Sequence, residues 1–195
     1  MGGCNQIDYK RKPNPQNIDR SFISSRSSIR DNTYDNSRYD NSGNMKNNNK
    51  KTNIYKNLLK IHNDYRIKYN VQNLELNYEL CQLAQEYADK CADLQNTDLS
   101  PALYKNECIG ENISEFDGDI STTSTIIKEW ANERNNFDFK NKEYNGKTKH
   151  FTQMIWKSSQ IVGFGFSSSS NEKNYFVSFY FPAGNIFDKF NKNIL

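Results

Sequence analysis

The chain has 195 residues, with 26 Lys/Arg against 23 Asp/Glu, a formal net charge of +3 and 35% apolar residues. This length suits one domain with a single hydrophobic core, with residues left over for a tail. Apolar runs fall short of the ~20 residues that span a bilayer, and the first thirty residues lack the apolar stretch of a secretory signal. The composition therefore predicts a protein that is neither threaded through a membrane nor exported by a signal peptide.

The N-terminus reads Met1-Gly-Gly-Cys, which combines an acceptor for myristate at Gly2 with a cysteine suited to palmitate at Cys4. Two acyl chains are needed for stable anchoring, because a single myristoyl group holds a protein only marginally. The acylation consensus prefers Ser or Thr where this chain has Gln6, so an unmodified tail is the alternative. The pattern predicts a protein on the cytoplasmic face of a Golgi, other endomembrane or plasma membrane.

Residues 1–50 contain nine Lys/Arg and five Asp/Glu among many Asn and Ser. They offer too little apolar surface to offset the entropy of ordering, so we predict a disordered basic arm. Residues 51–195 hold 17 basic and 18 acidic residues and form the predicted folded domain. A basic arm on a near-neutral domain favours an anionic membrane over nucleic acid, for which no binding module is recognisable. A solvated linker is the alternative interpretation of the arm.

Two helices are predicted at the start of the folded domain. From Asn53 the apolar residues recur at the three- and four-residue spacing of an amphipathic helix. His62 and Arg66 lie four residues apart on one face of it, which favours packing and hydrogen bonding over catalysis. Asn77 is a suitable N-cap for a second helix, whose inner face reaches Cys91.

A third helix is predicted to start among residues 121–125. Along it Ile126, Trp130 and Glu133 are spaced to share one face. A carboxylate on an apolar face is at least partly buried, and such groups are almost always paired or ligated. Glu133 is therefore a candidate site residue.

Two strands rich in Phe and Val follow, at residues 161–167 and 175–181, joined by a polar turn. Helices that flank an antiparallel sheet indicate a layered α+β domain. Sparse cysteines without an export signal fit a reducing compartment, so Cys81, Cys91 and Cys108 are expected to be buried thiols. A bridge between Cys91 and Cys108 is the alternative.

The most informative stretch is His150-Phe-Thr-Gln-Met-Ile-Trp-Lys, with Phe181-Pro-Ala-Gly-Asn185 further on. An imidazole in such an apolar, aromatic setting needs a hydrogen-bond, ionic or metal partner. Both motifs resemble those of the CAP superfamily of cysteine-rich secretory proteins, antigen 5 allergens and pathogenesis-related proteins, and most nearly its intracellular Golgi-associated type. The resemblance spans about residues 54–190 and implies a three-layer α-β-α sandwich.

The resemblance also implies a cavity. The segments that begin at Gly110, Trp130 and His150 each match a family segment that contributes one cavity residue, here Glu111, Glu133 and His150. In the family a second histidine completes a His-Glu-Glu-His cluster that can bind zinc or magnesium. This chain has Asn96, or else Gln95, at that place, and an amide is a poorer ligand than imidazole, so only weak divalent-cation binding is expected. A structural charge network and acid–base catalysis are the alternatives.

Three functions follow from the resemblance. The first is a non-enzymatic, lipid-anchored module that associates with membranes and binds a lipid or sterol in a groove lined by the aromatic residues between Phe137 and Phe190. The second is a metal-assisted hydrolase or protease that uses Glu111, Glu133 and His150. The third is a secreted effector. A membrane or lipid is the expected partner, and a second copy of the chain is a further candidate.

Overall fold

The computed structural model describes residues 44–98 and 102–195, with the backbone alone for residues 44–50. Gly2, Cys4 and most of the predicted arm lie outside the described residues. The first helix, α1, spans Asn44–Lys68. It begins at Asn44 and not at the predicted Asn53, so the helix includes the last residues that the sequence analysis assigned to the arm.

The helices after α1 are α2 (Tyr78–Leu94), α3 (Thr123–Asn132), α4 (Lys149–Met154) and α5 (Phe190–Asn193). The strands are β1 (Glu75–Leu76), β2 (Leu103–Tyr104), β3 (Glu107–Cys108), β4 (Gly110–Phe116), β5 (Ile161–Ser168) and β6 (Asn174–Phe181). Short 3-10 turns cover Ile120–Thr122, Glu133–Asn136, Gly146–Thr148 and Phe187–Lys189. Within the described residues, no helix combines the length and apolar character that crossing a lipid bilayer requires.

The main sheet has the strand order β1-β5-β6-β4. β1 runs parallel to β5, whereas β5 with β6 and β4 with β6 are antiparallel. The predicted hairpin of two aromatic strands is therefore confirmed. β2 and β3 form a separate two-stranded hairpin. β4 is an edge strand of the main sheet, and its first residues lie beside the candidate site.

Alternation of side chains gives the sheet two apolar faces. Phe164 and Phe176 face one cluster, which the helices α1, α3 and α4 cover. Val177 and Phe179 face a second cluster, which α2 covers. Helices thus lie on both sides of one mixed sheet, and the predicted three-layer α+β architecture is confirmed.

Two glycines let α2 pack very closely on β5. A Cβ atom added at Gly163 would lie 2.3 Å from the carbonyl carbon of Leu80, and one added at Gly165 would lie 2.2 Å from that of Ala84. Asn77 caps the same helix, accepting a hydrogen bond from the Leu80 amide at 2.8 Å, as predicted. The spacing between helix and sheet is therefore set by backbone contact.

The packing role predicted for His62 and Arg66 agrees with the structure. The buried Arg66 guanidinium donates to the carbonyl oxygens of Gln72, Met154, Trp156 and Ser159 at 2.6 to 3.0 Å. These bonds satisfy a charge that would otherwise be costly to bury. Burial also lowers the pKa of Arg66 to about 10. Arg66 thereby connects the end of α1 to the turn at residues 157–158, through the carbonyls of Trp156 and Ser159.

Cys81 and Cys91 are buried free thiols, as expected. Burial raises the pKa of Cys91 to about 12, which keeps it protonated and unreactive. Cys108 is disulfide-bonded, so the expectation of a thiol there is wrong. The alternative bridge between Cys91 and Cys108 is not formed, because Cys91 is free.

Replacement of Gly163 by Ala should destabilise the domain by about 3 kcal/mol, because the added methyl meets helix backbone and not a movable side chain. The free energy of unfolding, measured by denaturant titration, checks this value. Gly146→Ala is the matched control, since nothing lies within 4 Å of its Cβ position. An equal loss of stability in both variants would contradict the proposed backbone contact.

Candidate functional site

The side chains of Glu133 and His150 are hydrogen-bonded to each other and form a pair. The Nδ1 atom of His150 lies 2.6 Å from Oε1 of Glu133. The other carboxylate oxygen, Oε2, accepts hydrogen bonds from the backbone amides of His150 and Phe151 at 3.0 and 3.1 Å. Amides in the first turn of a helix have no partner within the helix, and that end of the helix favours negative charge. Glu133 therefore orients the imidazole and caps α4 with the same carboxylate.

Glu133 reaches this position because α3 ends at Asn132 and Glu133 begins the 3-10 turn that follows. The sequence analysis placed Glu133 on the helix itself, one turn after Trp130. Tightening of the chain after α3 brings the carboxylate to the start of α4, while Trp130 stays in the core. The predicted pairing of this acid is present, although the element that carries it differs.

Aromatic stacking fixes the plane of the His150 ring. The ring stacks on Trp130 with a centroid distance of 5.4 Å and an interplanar angle of 16°. Trp130 in turn stacks on Phe176 at 5.2 Å, and its indole N–H donates to Ser114 Oγ at 3.0 Å. With Nδ1 held by a carboxylate, the remaining nitrogen, Nε2, is the basic one. The side chains of His150 and Glu133 are 17% and 20% exposed, so solvent reaches the pair.

A hydrogen-bond network links the site to α1. Asn112 donates from Nδ2 to the carbonyl of His150 at 3.0 Å and to the hydroxyl of Tyr180 at 3.3 Å. Tyr180 donates to Nε2 of His62 at 2.8 Å, and His62 donates from Nδ1 to the Leu58 carbonyl at 2.8 Å. Burial lowers the pKa of His62 to about 4, which keeps its imidazole neutral and able to accept.

Asn112 and Tyr180 are residues that the sequence analysis did not assign to the site. Asn112 follows Glu111 directly within the matched segment, so its place in that motif was a usable signal. Tyr180 lies 68 residues after Asn112, and only the strand register brings the two side chains together.

Glu111 has different contacts from the pair. It lies opposite Phe179 in the register of β4 and β6, on the sheet face that α2 covers, whereas its neighbour Asn112 points to the other face. Its Oε1 accepts a hydrogen bond from the amide of Ala102 at 3.0 Å. Burial raises the pKa of Glu111 to about 7, an effect that the Ala102 hydrogen bond and the charge of Lys149 partly offset. That Glu111 shares one cavity with the pair stays a prediction.

The side chains of Asn96 and Gln95 form hydrogen bonds with residues other than Glu111, Glu133 and His150. Asn96 is exposed and accepts a hydrogen bond from the amide of Asp98 at 2.9 Å. Gln95 ends α2 in the left-handed region and accepts from Asn171 at 2.9 Å.

The side chains expected to hold a divalent cation have other partners, and weak binding of such an ion stays a prediction. In the part of the chain that the structure describes, no group of three or more His, Cys, Asp or Glu is placed to hold one. Oε2 of Glu133 is used by two amides and the Asn96 amide by its loop. We therefore derive no chemistry through a metal. The pair by itself has the arrangement of an oriented imidazole, which is suited to moving a proton.

The aromatic residues expected to line a lipid groove pack mainly on one another. Phe137, Phe151, Phe164, Phe176 and Phe190 are all buried. Their ring contacts run through the core, for example at 6.0 Å between Phe137 and Phe151. The structure therefore shows core packing for these rings, and binding of a lipid or sterol stays a prediction.

Comparison with known proteins places this site in context. The family model described as CAP, cysteine-rich secretory protein family, matches residues 59–181. The chain is 34% identical over 143 residues to the human Golgi-associated plant pathogenesis-related protein 1, covering 72% of this chain and 92% of that protein. It is 31% identical over 145 residues to human cysteine-rich secretory protein 3, covering 69% of this chain and 58% of that protein.

Among solved structures, that of NaASP2 with Zn2+ is similar to this one. It matches with a TM-score of 0.56 and 20% identity, over 69% of this chain and 82% of that chain. At this level of identity the similarity shows a shared fold and nothing about the metal. It agrees with the α-β-α sandwich described above.

Replacement of Glu133 by Gln should destabilise the protein by about 1 kcal/mol, because the helix loses a negative charge at its N-terminus and the imidazole loses its carboxylate acceptor. Chemical denaturation measures this change. Glu129→Gln is the control, since Glu129 is exposed on α3 and should change stability by less than about 0.5 kcal/mol. Equal effects of the two substitutions would mean that Glu133 does not cap α4.

Replacement of Glu111 by Gln should alter how stability depends on pH. The folded carboxyl group holds its proton up to pH about 7, whereas an unperturbed Glu loses it near 4.5. Wild-type stability therefore contains a contribution that is present at low pH and lost as the pH rises from 4.5 to 7. Relative to wild type, Glu111→Gln should gain about 2 kcal/mol between pH 5 and 7.5.

The free energy of unfolding at the two pH values tests this shift. The comparison with wild type cancels His62, whose lowered pKa makes stability fall as the pH drops from 6.5 towards 4. Glu107→Gln, an exposed position on β3, should follow wild type. A Glu111→Gln curve parallel to that of wild type would show that the carboxyl titrates normally.

Proposed function

This chain belongs to the CAP, or cysteine-rich secretory protein, family, and on that premise we propose that it is a non-enzymatic member held on the cytoplasmic face of a membrane by acyl groups at Gly2 and Cys4. The family interpretation made from the sequence motifs is thereby confirmed. The observation that carries the proposal is the 34% identity over 92% of a human relative that is, by its name, Golgi-associated.

The N-terminal sequence supports acyl anchoring. Gly2 and Cys4 provide acceptors for two chains, which is the number that stable membrane attachment requires. The basic residues of positions 1–50 add attraction to anionic headgroups. Acyl chains supply most of the affinity in this proposal, and the charges favour the cytoplasmic leaflet.

The geometry of the Glu133–His150 pair supports a role without catalysis. The Glu133 carboxylate accepts three hydrogen bonds that join the end of α3 to the start of α4. His150 is stacked on a core tryptophan and contributes its carbonyl to Asn112. These contacts are what a structural charge network requires. Hydrolysis through the oriented imidazole is the second candidate, favoured by the basic Nε2 atom, and His150→Ala would abolish a hydrolytic activity while leaving membrane binding unchanged.

A secreted effector is the third candidate, and the disulfide at Cys108 favours it. Disulfides persist in oxidising compartments and are rare in the cytosol. Cys81 and Cys91 are free, and Cys4 is the one cysteine of the sequence that lies outside the described residues. A cysteine cannot carry an acyl thioester and a disulfide together, so the chemical state of Cys4 separates the two proposals. Mass spectrometry of the native chain measures that state directly.

Replacement of Gly2 by Ala should move the protein from the membrane fraction to the soluble fraction of cells. The substitution replaces the N-terminal glycine that myristoylation requires, and myristoylation brings the chain to membranes where Cys4 is acylated. Fractionation with mass spectrometry of the N-terminal peptide checks both steps. Gly3→Ala is the matched control and should stay with membranes.

Three outcomes would contradict the anchoring proposal. One is a Gly2→Ala variant that remains with membranes. Another is a wild-type N-terminal peptide without acyl mass. The third is native protein recovered from the culture medium with Cys4 in a disulfide, which would support the secreted candidate.

A further inference from the structure

We propose that the folded domain itself contacts anionic membrane lipids through one surface, which we call the C-terminal face. It consists of the outward side of residues 186–192, the turn at Lys157 and the end of α1. Its exposed apolar and basic residues are Ile67, Lys68, Lys157, Phe187, Lys189 and Lys192. The proposal deepens the membrane association proposed above, and it is testable without the acyl groups.

The segment that carries Phe187 is firmly attached to the domain. Phe190 is buried and its ring meets Trp156 edge to face at 5.0 Å. Asn193 Oδ1 accepts hydrogen bonds from the amide and hydroxyl of Ser158 at 2.9 and 2.6 Å, and the Asn193 carbonyl accepts from the Lys157 amide. These contacts hold the segment in place, so the orientation of its exposed side is fixed.

Exposed apolar side chains mark this face. Phe187 keeps 60% of its surface exposed, although it lies three residues before the buried Phe190. This ring is therefore available for contact with another phase or partner. Lys189 and Lys192 are exposed on the same short segment.

The end of α1 lies against the same turn. The Arg66 guanidinium donates to the carbonyls of Trp156 and Ser159, the residues that flank Lys157 and Ser158. The next residue, Ile67, is 64% exposed, and Lys68 follows it. The turn at Lys157 thus lies between the end of α1 and the segment that carries Phe187.

The charge of this face selects the partner. Four lysines lie on it, and Asp188 is the one acidic residue of positions 186–195, whereas residues 51–195 as a whole are nearly neutral. Each basic residue at an anionic membrane surface strengthens binding by about fivefold. An aromatic ring among lysines is the combination found in interfacial membrane contacts, where the ring enters the headgroup region and the charges meet anionic lipid.

Tryptophan fluorescence tests the contact at Phe187. The full chain, produced without acylation, is mixed with vesicles of phosphatidylcholine that contain phosphatidylserine, and with vesicles of phosphatidylcholine alone. In the Phe187→Trp variant the introduced indole should shift its emission to the blue and be quenched by brominated lipid, on the anionic vesicles only. The native Trp130 and Trp156 are buried and should not respond.

Leu94→Trp is the matched control for this measurement. Leu94 is 65% exposed at the end of α2, a helix that contributes no residue to the C-terminal face. Its emission should stay unchanged on both vesicles. The basic arm is identical in the two variants. A response of Phe187→Trp alone would therefore show that the folded domain itself contacts the lipid.

Charge reversal tests the lysines. The double variant Lys189→Glu with Lys192→Glu should bind anionic vesicles at least about tenfold more weakly in a flotation assay. The double variant Lys56→Glu with Lys128→Glu has the same net charge and changes exposed lysines on α1 and α3. It should lose much less affinity.

The proposal is overturned if the Phe187→Trp emission stays unchanged on vesicles that bind the chain, or if both double variants lose equal affinity. It is also overturned if the C-terminal face binds acidic protein segments but no vesicles. None of these results depends on Gly2 or Cys4, so the proposal of an acyl anchor and the proposal of this lipid-binding face are tested separately.

Discussion

The candidate site depends on how the Glu133 carboxylate is shared. One oxygen holds the imidazole of His150, and the other holds two amides at the start of α4. A partly buried carboxylate needs hydrogen-bond donors, and the free amides at the start of a helix need an acceptor. The Glu133 carboxylate and the first amides of α4 therefore satisfy each other. The position of α4, the orientation of the His150 ring and the tight turn after α3 all follow from this one group.

Strand β4 divides the remaining polar residues between the two sides of the sheet. Asn112 faces α1 and α4, where it bonds the His150 carbonyl and the Tyr180 hydroxyl. Glu111 faces α2, where burial raises its pKa to about 7. Two adjacent polar residues therefore serve different layers, and the family motif that contains both of them is a feature of packing as much as of chemistry.

Membership of a family establishes the fold, whereas function depends on the particular residues presented by this chain. The core pairings around Arg66, His62 and Trp130 belong to the scaffold, since their partners are buried backbone and ring atoms. The features that point to a membrane lie outside that scaffold, in the N-terminal sequence and on the C-terminal face. In the proposed function, this separation allows contact with a membrane without any change to the network that holds the core.

The sequence by itself determined the family, the amphipathic helices, the Asn77 cap and the pair of aromatic strands, because these depend on local spacing and on motifs that are contiguous in the chain. Only the tertiary structure decided that Glu133 belongs to a turn after α3, that Tyr180 joins His62 to Asn112, that Cys108 is not a thiol and that Phe187 faces solvent. His62 and Tyr180 are 118 residues apart, and Glu133 and His150 are 17 apart. Partners at such separations are set by strand register and by the packing of helices on the sheet, which no local pattern encodes.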